Sequence, residues 1–166
     1  MIFIFPFILG SLSVLSFQPF NFSYINFIIF PLLFLITTYV QKKSKSTYRK
    51  KPYLSNIFFI GYLFGIGFFL TGIHWISHSL SFDENFKYII PLSIIGLPLF
   101  LGLFFGFANL LAGQFIKNNF TSILIFSSSF AFFDFLRSKI LSGFPWNLWA
   151  YTWSWLPEVL QPLKFI

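Results

Sequence analysis

Few side chains in this sequence are equipped for chemistry, and most of them fall close together. Asp134 and Arg137 stand three residues apart in an apolar run, a spacing that places them on one helix face. An ionisable residue inside a membrane-length apolar segment marks a functional site by default. The competing reading is that the two residues pair so that both are tolerated, with Arg137 and Lys139 reaching for the headgroups. Residues 142 to 155 follow, S-G-F-P-W-N-L-W-A-Y-T-W-S-W, with four Trp and one Tyr in 14 positions. Pro145 has no N–H and pushes Phe144 out of helical geometry, so the segment bends back. One reading is an aromatic belt at the interface. The other is a site, because irregular backbone at membrane depth persists only when it is buried in protein or lines a cavity.

Two further features are weaker. His74 and His78 share a helix face near Asp83 and Glu84, but two histidines do not make a catalytic zinc set and the H-E-x-x-H glutamate is missing. No metal and no cofactor are expected. The sequence contains no Cys, which excludes a disulfide framework, a thiolate metal site and a thiol nucleophile within it.

The elements that must position these residues are apolar. Of 166 residues, 57% are hydrophobic and 9% charged, with a mean hydropathy of +0.79, whereas a soluble domain carries about a quarter charged residues. Lipid must cover what a chain of this size cannot bury, including 29 Phe. The uncharged runs, each near the roughly 20 residues that cross a hydrocarbon core, predict an all-α polytopic integral membrane protein. It has about five transmembrane helices, at roughly 2–17, 22–40, 57–76, 88–112 and 121–138. A proline-broken aromatic outer loop and the start of a sixth helix near Leu156 follow. Pro98, inside the fourth span, should kink it.

Lys42, Lys43, Lys45, Arg49, Lys50 and Lys51 supply six of the 11 cations within one short loop. By the positive-inside rule the 41–56 loop and the N-terminus are cytoplasmic, and the net charge of +7 is a topology signal rather than a nucleic-acid footprint. The turn over Gln18 to Asn21, the Asp83–Glu84 loop and the aromatic segment then lie outside. Gly61 with Gly65, and Gly102 with Gly106, form G-x-x-x-G pairs that bring helix backbones together, within the chain or between two copies.

Three stretches resemble apolipoprotein N-acyltransferases. Residues 15–22, L-S-F-Q-P-F-N-F, are similar to that family's turn between its first two spans. Residues 61–76, G-Y-L-F-G-I-G-F-F-L-T-G-I-H-W-I, are similar to its glycine-punctuated span. F-D-F-L-R with L-S-G-F-P-W and Tyr151 resembles its E-[FW]-L-R-G, T-G-F-P-W and G-Y-S motifs, with Asp134, Ser138 and Ala150 as departures. The resemblance implies a bacterial inner-membrane enzyme that takes an acyl chain from a phospholipid donor and passes it to a diacylglyceryl-modified apolipoprotein acceptor. It places the Glu, Lys and Cys of the chemistry in a nitrilase-like domain after further spans, so the sequence reads as stopping short of it. No catalytic residue is then expected here. Asp134, Arg137, Gly143, Phe144, Pro145, Trp146 and Tyr151 are candidates for holding lipid.

Two alternatives come from other classes. A small transporter or channel component needs polar residues around a common lumen, for which Asn109, Gln114 and scattered Ser are the material. A non-catalytic scaffold would dimerise through its glycine pairs. The acyltransferase resemblance predicts that the purified 166-residue chain alone transfers no acyl group from phospholipid to a lipopeptide amine. Any transfer detected by mass spectrometry refutes this.

Overall fold

The computed structural model describes residues 3–45, 52–117, 119–140, 143 and 145–161, and all regular structure among them is helical. Helix α1 (Ile4–Ser13) runs into a 3-10 turn, Val14–Ser16. The chain reverses where Phe22 N–H donates to Leu15 O and Asn21 N–H to Phe17 O, both at 3.0 Å. Asn21 takes a left-handed φ of 55°, which Asn tolerates better than most residues. Helices α2 (Asn26–Lys45) and α3 (Pro52–Gly72) follow. Residues 46–51 of the expected cytoplasmic loop lie outside the described residues. Beyond α3 come α4 (Trp75–Leu80), a 3-10 stretch at Glu84–Ile89, α5 (Leu97–Phe115), α6 (Phe120–Arg137) and α7 (Pro157–Leu160).

Among the described residues four helical stretches, Ser23–Lys43, Tyr53–Gly72, Leu92–Phe115 and Phe120–Arg137, are long and apolar enough to cross a membrane, and Ile4–Ser16 is a shorter apolar helix. The protein is an all-α polytopic integral membrane protein. The kink expected at Pro98 takes another form: the backbone passes through a π-helical turn at Leu92–Gly96, and Pro98 sits in the first turn of α5. A proline has no N–H for the carbonyl four residues back, and a π turn is one way a helix absorbs such a gap in its ladder.

Helix α3 is the axis of the bundle, with α1 on one side and α5 on the other. Glycine sets both separations. A Cβ on Gly10 would collide with the Phe64 carbonyl, and one on Gly67 with that of Phe7. A Cβ on Gly65 would lie 2.8 Å from Gly102 Cα, and one on Gly106 would lie 2.6 Å from the Phe58 ring. Both G-x-x-x-G pairs are therefore consumed within the chain, as the intramolecular reading requires.

Polar side chains lock three helices deeper down. Asn109, fully buried, donates through Nδ2 to Ile57 O at 2.7 Å and accepts from Thr37 Oγ1 at 3.0 Å. Gln41 Nε2 donates to Gly113 O at 2.5 Å. Asn109 thus joins α2, α3 and α5, so the first polar residue named for the channel alternative is spent on locking helices together.

Gly65→Leu should destabilise the fold by about 1–3 kcal/mol or more, since backbone rather than a flexible side chain blocks the new atoms. Gly96→Ala, which meets only the Leu92 side chain, should cost far less. Thermal unfolding in nanodiscs compares them, and equal loss would mean that α3 and α5 are not packed backbone to backbone.

Candidate functional site

The last turn of α6 and the segment after it form one unit. Asn119 opens α6 by accepting from Ser122 N–H at 3.1 Å, and 3.6-residue periodicity then brings Asp134 and Arg137 together at the other end. Arg137 is 1% exposed and Asp134 12% by side chain, with Nη2 2.6 Å from Oδ1. The guanidinium is not turned toward open headgroups. Nη1 donates to Trp146 O at 2.8 Å and Nη2 to Asn147 O at 3.3 Å, while its carbon lies 5.0 Å from the Phe69 ring centroid. Asp134 Oδ2 accepts from Trp149 N–H at 3.1 Å. The pair therefore supplies backbone partners to the irregular stretch that leads into a 3-10 turn at Trp149–Trp153, as irregular backbone at membrane depth requires.

The turn leading into this loop depends on glycine at one position. Gly143 has φ +82°, and a Cβ there would strike the Ser138 carbonyl, so a side chain is disfavoured twice. Its N–H donates to Ile140 O at 2.9 Å. Phe144 lies outside the described residues. Asn147, at φ 54°, lays its carboxamide against Gly72 at the end of α3, where a Cβ would collide with it. Beyond, Ser23 Oγ donates to Thr152 O and accepts from Trp155 Nε1 at 2.7 Å, which ties the segment to the start of α2.

Four of the sequence-predicted residues, Asp134, Arg137, Gly143 and Trp146, are thus connected within one turn and its supports. Trp146 is 51% exposed, and its ring meets Trp75 edge to face with centroids 5.5 Å apart. Tyr151, 47% exposed, and Pro145 face outward on the same segment. His74 and His78 are not assembled into a site. Helix α3 ends at Gly72 rather than carrying both, His74 Nδ1 meets Thr71 O at 2.7 Å, and the His78 ring lies against Phe82. Among the described residues no three of His, Asp and Glu are grouped to hold a metal.

Sequence reasoning passed over Trp149. Its ring stacks on Phe68 at 4.8 Å and 24° and meets Phe30 edge-on at 4.8 Å, with Phe17 and Phe105 also within ring contact. In the sequence it is one of four Trp in a row of aromatics, and what sets it apart, the Asp134 bond to its amide and the rings around its indole, comes from residues distant along the chain.

The N-terminal domain model of the apolipoprotein N-acyltransferases matches residues 9–166. Curated proteins named apolipoprotein N-acyltransferase are similar along nearly the whole chain. That of Brucella melitensis is 33% identical over 96% of this chain and 30% of its own length. That of Rhizobium etli is 35% identical over 95% and 29%, and that of Rickettsia prowazekii 37% identical over 95% and 29%. The chain spans about 30% of the length of the curated relatives it matches.

Removing one member of the buried pair should cost about 3–5 kcal/mol, because the other is left charged and unpaired. Arg137→Leu with Asp134→Leu together should cost less than the sum of the two single changes. A double-mutant cycle read by thermal unfolding in nanodiscs checks this, and strict additivity would mean that the pair carries no coupling.

Proposed function

The chain belongs to the apolipoprotein N-acyltransferase family, and we propose that it is the membrane-embedded part of an enzyme that moves an acyl chain from a phospholipid to the N-terminal amine of a diacylglyceryl-cysteine lipoprotein. In that reaction the donor's ester bond breaks, an amide forms on the lipoprotein, and a lysophospholipid leaves. The relatives' name supports the activity, and the sequence, having no Cys, offers no thiol nucleophile of its own. The chain's own work is then to hold and present lipid.

The observation that carries this reading is the exposed Trp146 and Tyr151 on a segment pinned from below by the buried Arg137–Asp134 pair. Tyr and Trp offer an apolar body and a polar tip, which suits the boundary between acyl chains and headgroups. Arg137 and Asp134 act as positioning residues, Gly143 allows the turn, and Pro145, with Phe144 beside it in sequence, adds apolar surface. The cluster of cations at Lys42 to Lys51 supports a cytoplasmic 41–56 loop and N-terminus. The aromatic segment then faces the periplasmic side of a bacterial inner membrane.

In the full polypeptide as its gene encodes it, Trp146→Ala should lower lipoprotein N-acylation about tenfold, equivalent to ~1.4 kcal/mol, with little change in thermal stability. N-acylation followed by mass spectrometry at the wild-type rate would count against a lipid-presenting role.

A further inference from the structure

The end of the bundle opposite the aromatic loop carries charge of one sign. The sequence holds four carboxylate residues, Asp83, Glu84, Asp134 and Glu158. Asp83 and Glu84 belong to the outer arm, where Glu84 meets Lys87 at 3.2 Å, Asp134 pairs with Arg137, and Glu158 lies in α7. None of the four stands where α2 and α5 finish. Lys42, Lys43 and Lys117 are exposed at that end, and residues 45 to 51 add Lys45, Arg49, Lys50 and Lys51 with no Asp or Glu among them. The three described lysines are mounted on fixed backbone. The Gln41 Nε2 bond to Gly113 O sets the ends of α2 and α5 side by side. Lys117 N–H donates to Ser122 Oγ at 2.7 Å, and that hydroxyl donates to Asn119 Oδ1 at 2.8 Å, which holds the turn between α5 and α6.

We infer that this end of the bundle is a binding surface for anionic phospholipid headgroups, with the ammonium groups of Lys42, Lys43 and Lys117 meeting the lipid phosphates. Charge sets the sign of the partner, and depth sets its kind. The apolar span Ser23–Lys43 includes both lysines of α2, so they stand at headgroup level. Tyr39, 52% exposed and one turn before Lys43, has the Lys43 Nζ 5.7 Å from its ring centroid, and Tyr gathers where acyl chains meet headgroups. Phe115 and Phe120, both exposed, flank Lys117 in sequence, so its stem also rises from an apolar, lipid-facing rim. A nucleic acid or an acidic protein needs cations that stand clear of the bilayer, whereas a lipid phosphate is already at this level. A zwitterionic headgroup brings its own cation, and an anionic one leaves a net negative charge to be matched. Basic clusters directly beside a membrane span attract anionic lipid in this way, by about fivefold per Lys or Arg.

The surface is defined by the bundle and depends neither on the leaflet it faces nor on the reaction of the longer polypeptide. The full polypeptide is purified in neutral detergent and titrated with equal amounts of phosphatidylglycerol and phosphatidylcholine that carry the same acyl chains. Native mass spectrometry counts each lipid bound. Identical chains cancel whatever apolar grooves contribute, so the ratio reports the headgroup. Phosphatidylglycerol should be preferred, and Lys42→Gln, Lys43→Gln and Lys117→Gln together should lower that preference by at least about fivefold. Arg at the same three positions keeps the charge and should keep the preference. Lys87→Gln with Lys139→Gln removes two cations from the outer end and should leave it unchanged. Thermal unfolding in phosphatidylcholine nanodiscs checks that each variant folds. If the triple Gln variant unfolds, Lys117→Gln alone decides, with an expected loss of about two- to fivefold. A preference untouched by the Gln substitutions at Lys42, Lys43 and Lys117, or reduced equally by those at Lys87 and Lys139, overturns the surface. So does a triple variant that loses binding of a single-stranded oligonucleotide while its lipid preference stays, which would identify a nucleic-acid surface instead.

Discussion

A buried guanidinium organises the outer half of this protein. The Arg137 guanidinium sits at membrane depth with 1% of its surface exposed, where an unmatched charge is expensive. Its partners include one carboxylate and two main-chain carbonyls, at residues 146 and 147. The exchange is mutual. Those carbonyls belong to a loop with no ladder of its own, and without Arg137 they would be the unpaired groups. Loop and charge are each tolerable only in the presence of the other.

The rest of the bundle fits around this arrangement. Glycines let α1 and α5 approach α3 to backbone contact. The Trp149 ring enters that core among Phe30, Phe68 and Phe105, so the segment is held by a charge pair at its amide and by aromatic packing at its side chain. Asn109 and Gln41 then join α2, α3 and α5 nearer the other end. Polar contacts thus sit at two levels, and apolar packing fills the space between.

Much of this was legible in the sequence, for identifiable reasons. Membrane class follows from run length and charge scarcity, which are strong signals that tertiary context rarely reverses. The Asp134–Arg137 pair follows from spacing on one helix, and the G-x-x-x-G pairs announce close packing without naming a partner. What could not be read depends on contacts distant along the chain. One of the two readings of Arg137 had it pair with Asp134 and reach for the headgroups; it does pair, but its remaining donors turn to the carbonyls of residues 146 and 147. Trp149 has the same composition signal as its neighbours, and its burial becomes apparent only when Phe30 and Phe68 are placed around it. The break between Gly72 and Trp75, which separates His74 from the body of α3, has no proline to mark it.

The π turn at Leu92–Gly96 also sets a rotational phase. A π turn holds one residue more than the α-helical path it replaces, and each residue in an α-helix advances the azimuth by about 100°. The outer 3-10 stretch at Glu84–Ile89 is therefore indexed about a quarter-turn away from where an unbroken helix would carry it, relative to the Gly102–Gly106 face that docks on α3. Bundle packing and the heading of the outer arm are set on either side of that turn, so gaining or losing a single residue there would re-aim the arm relative to the face that docks on α3.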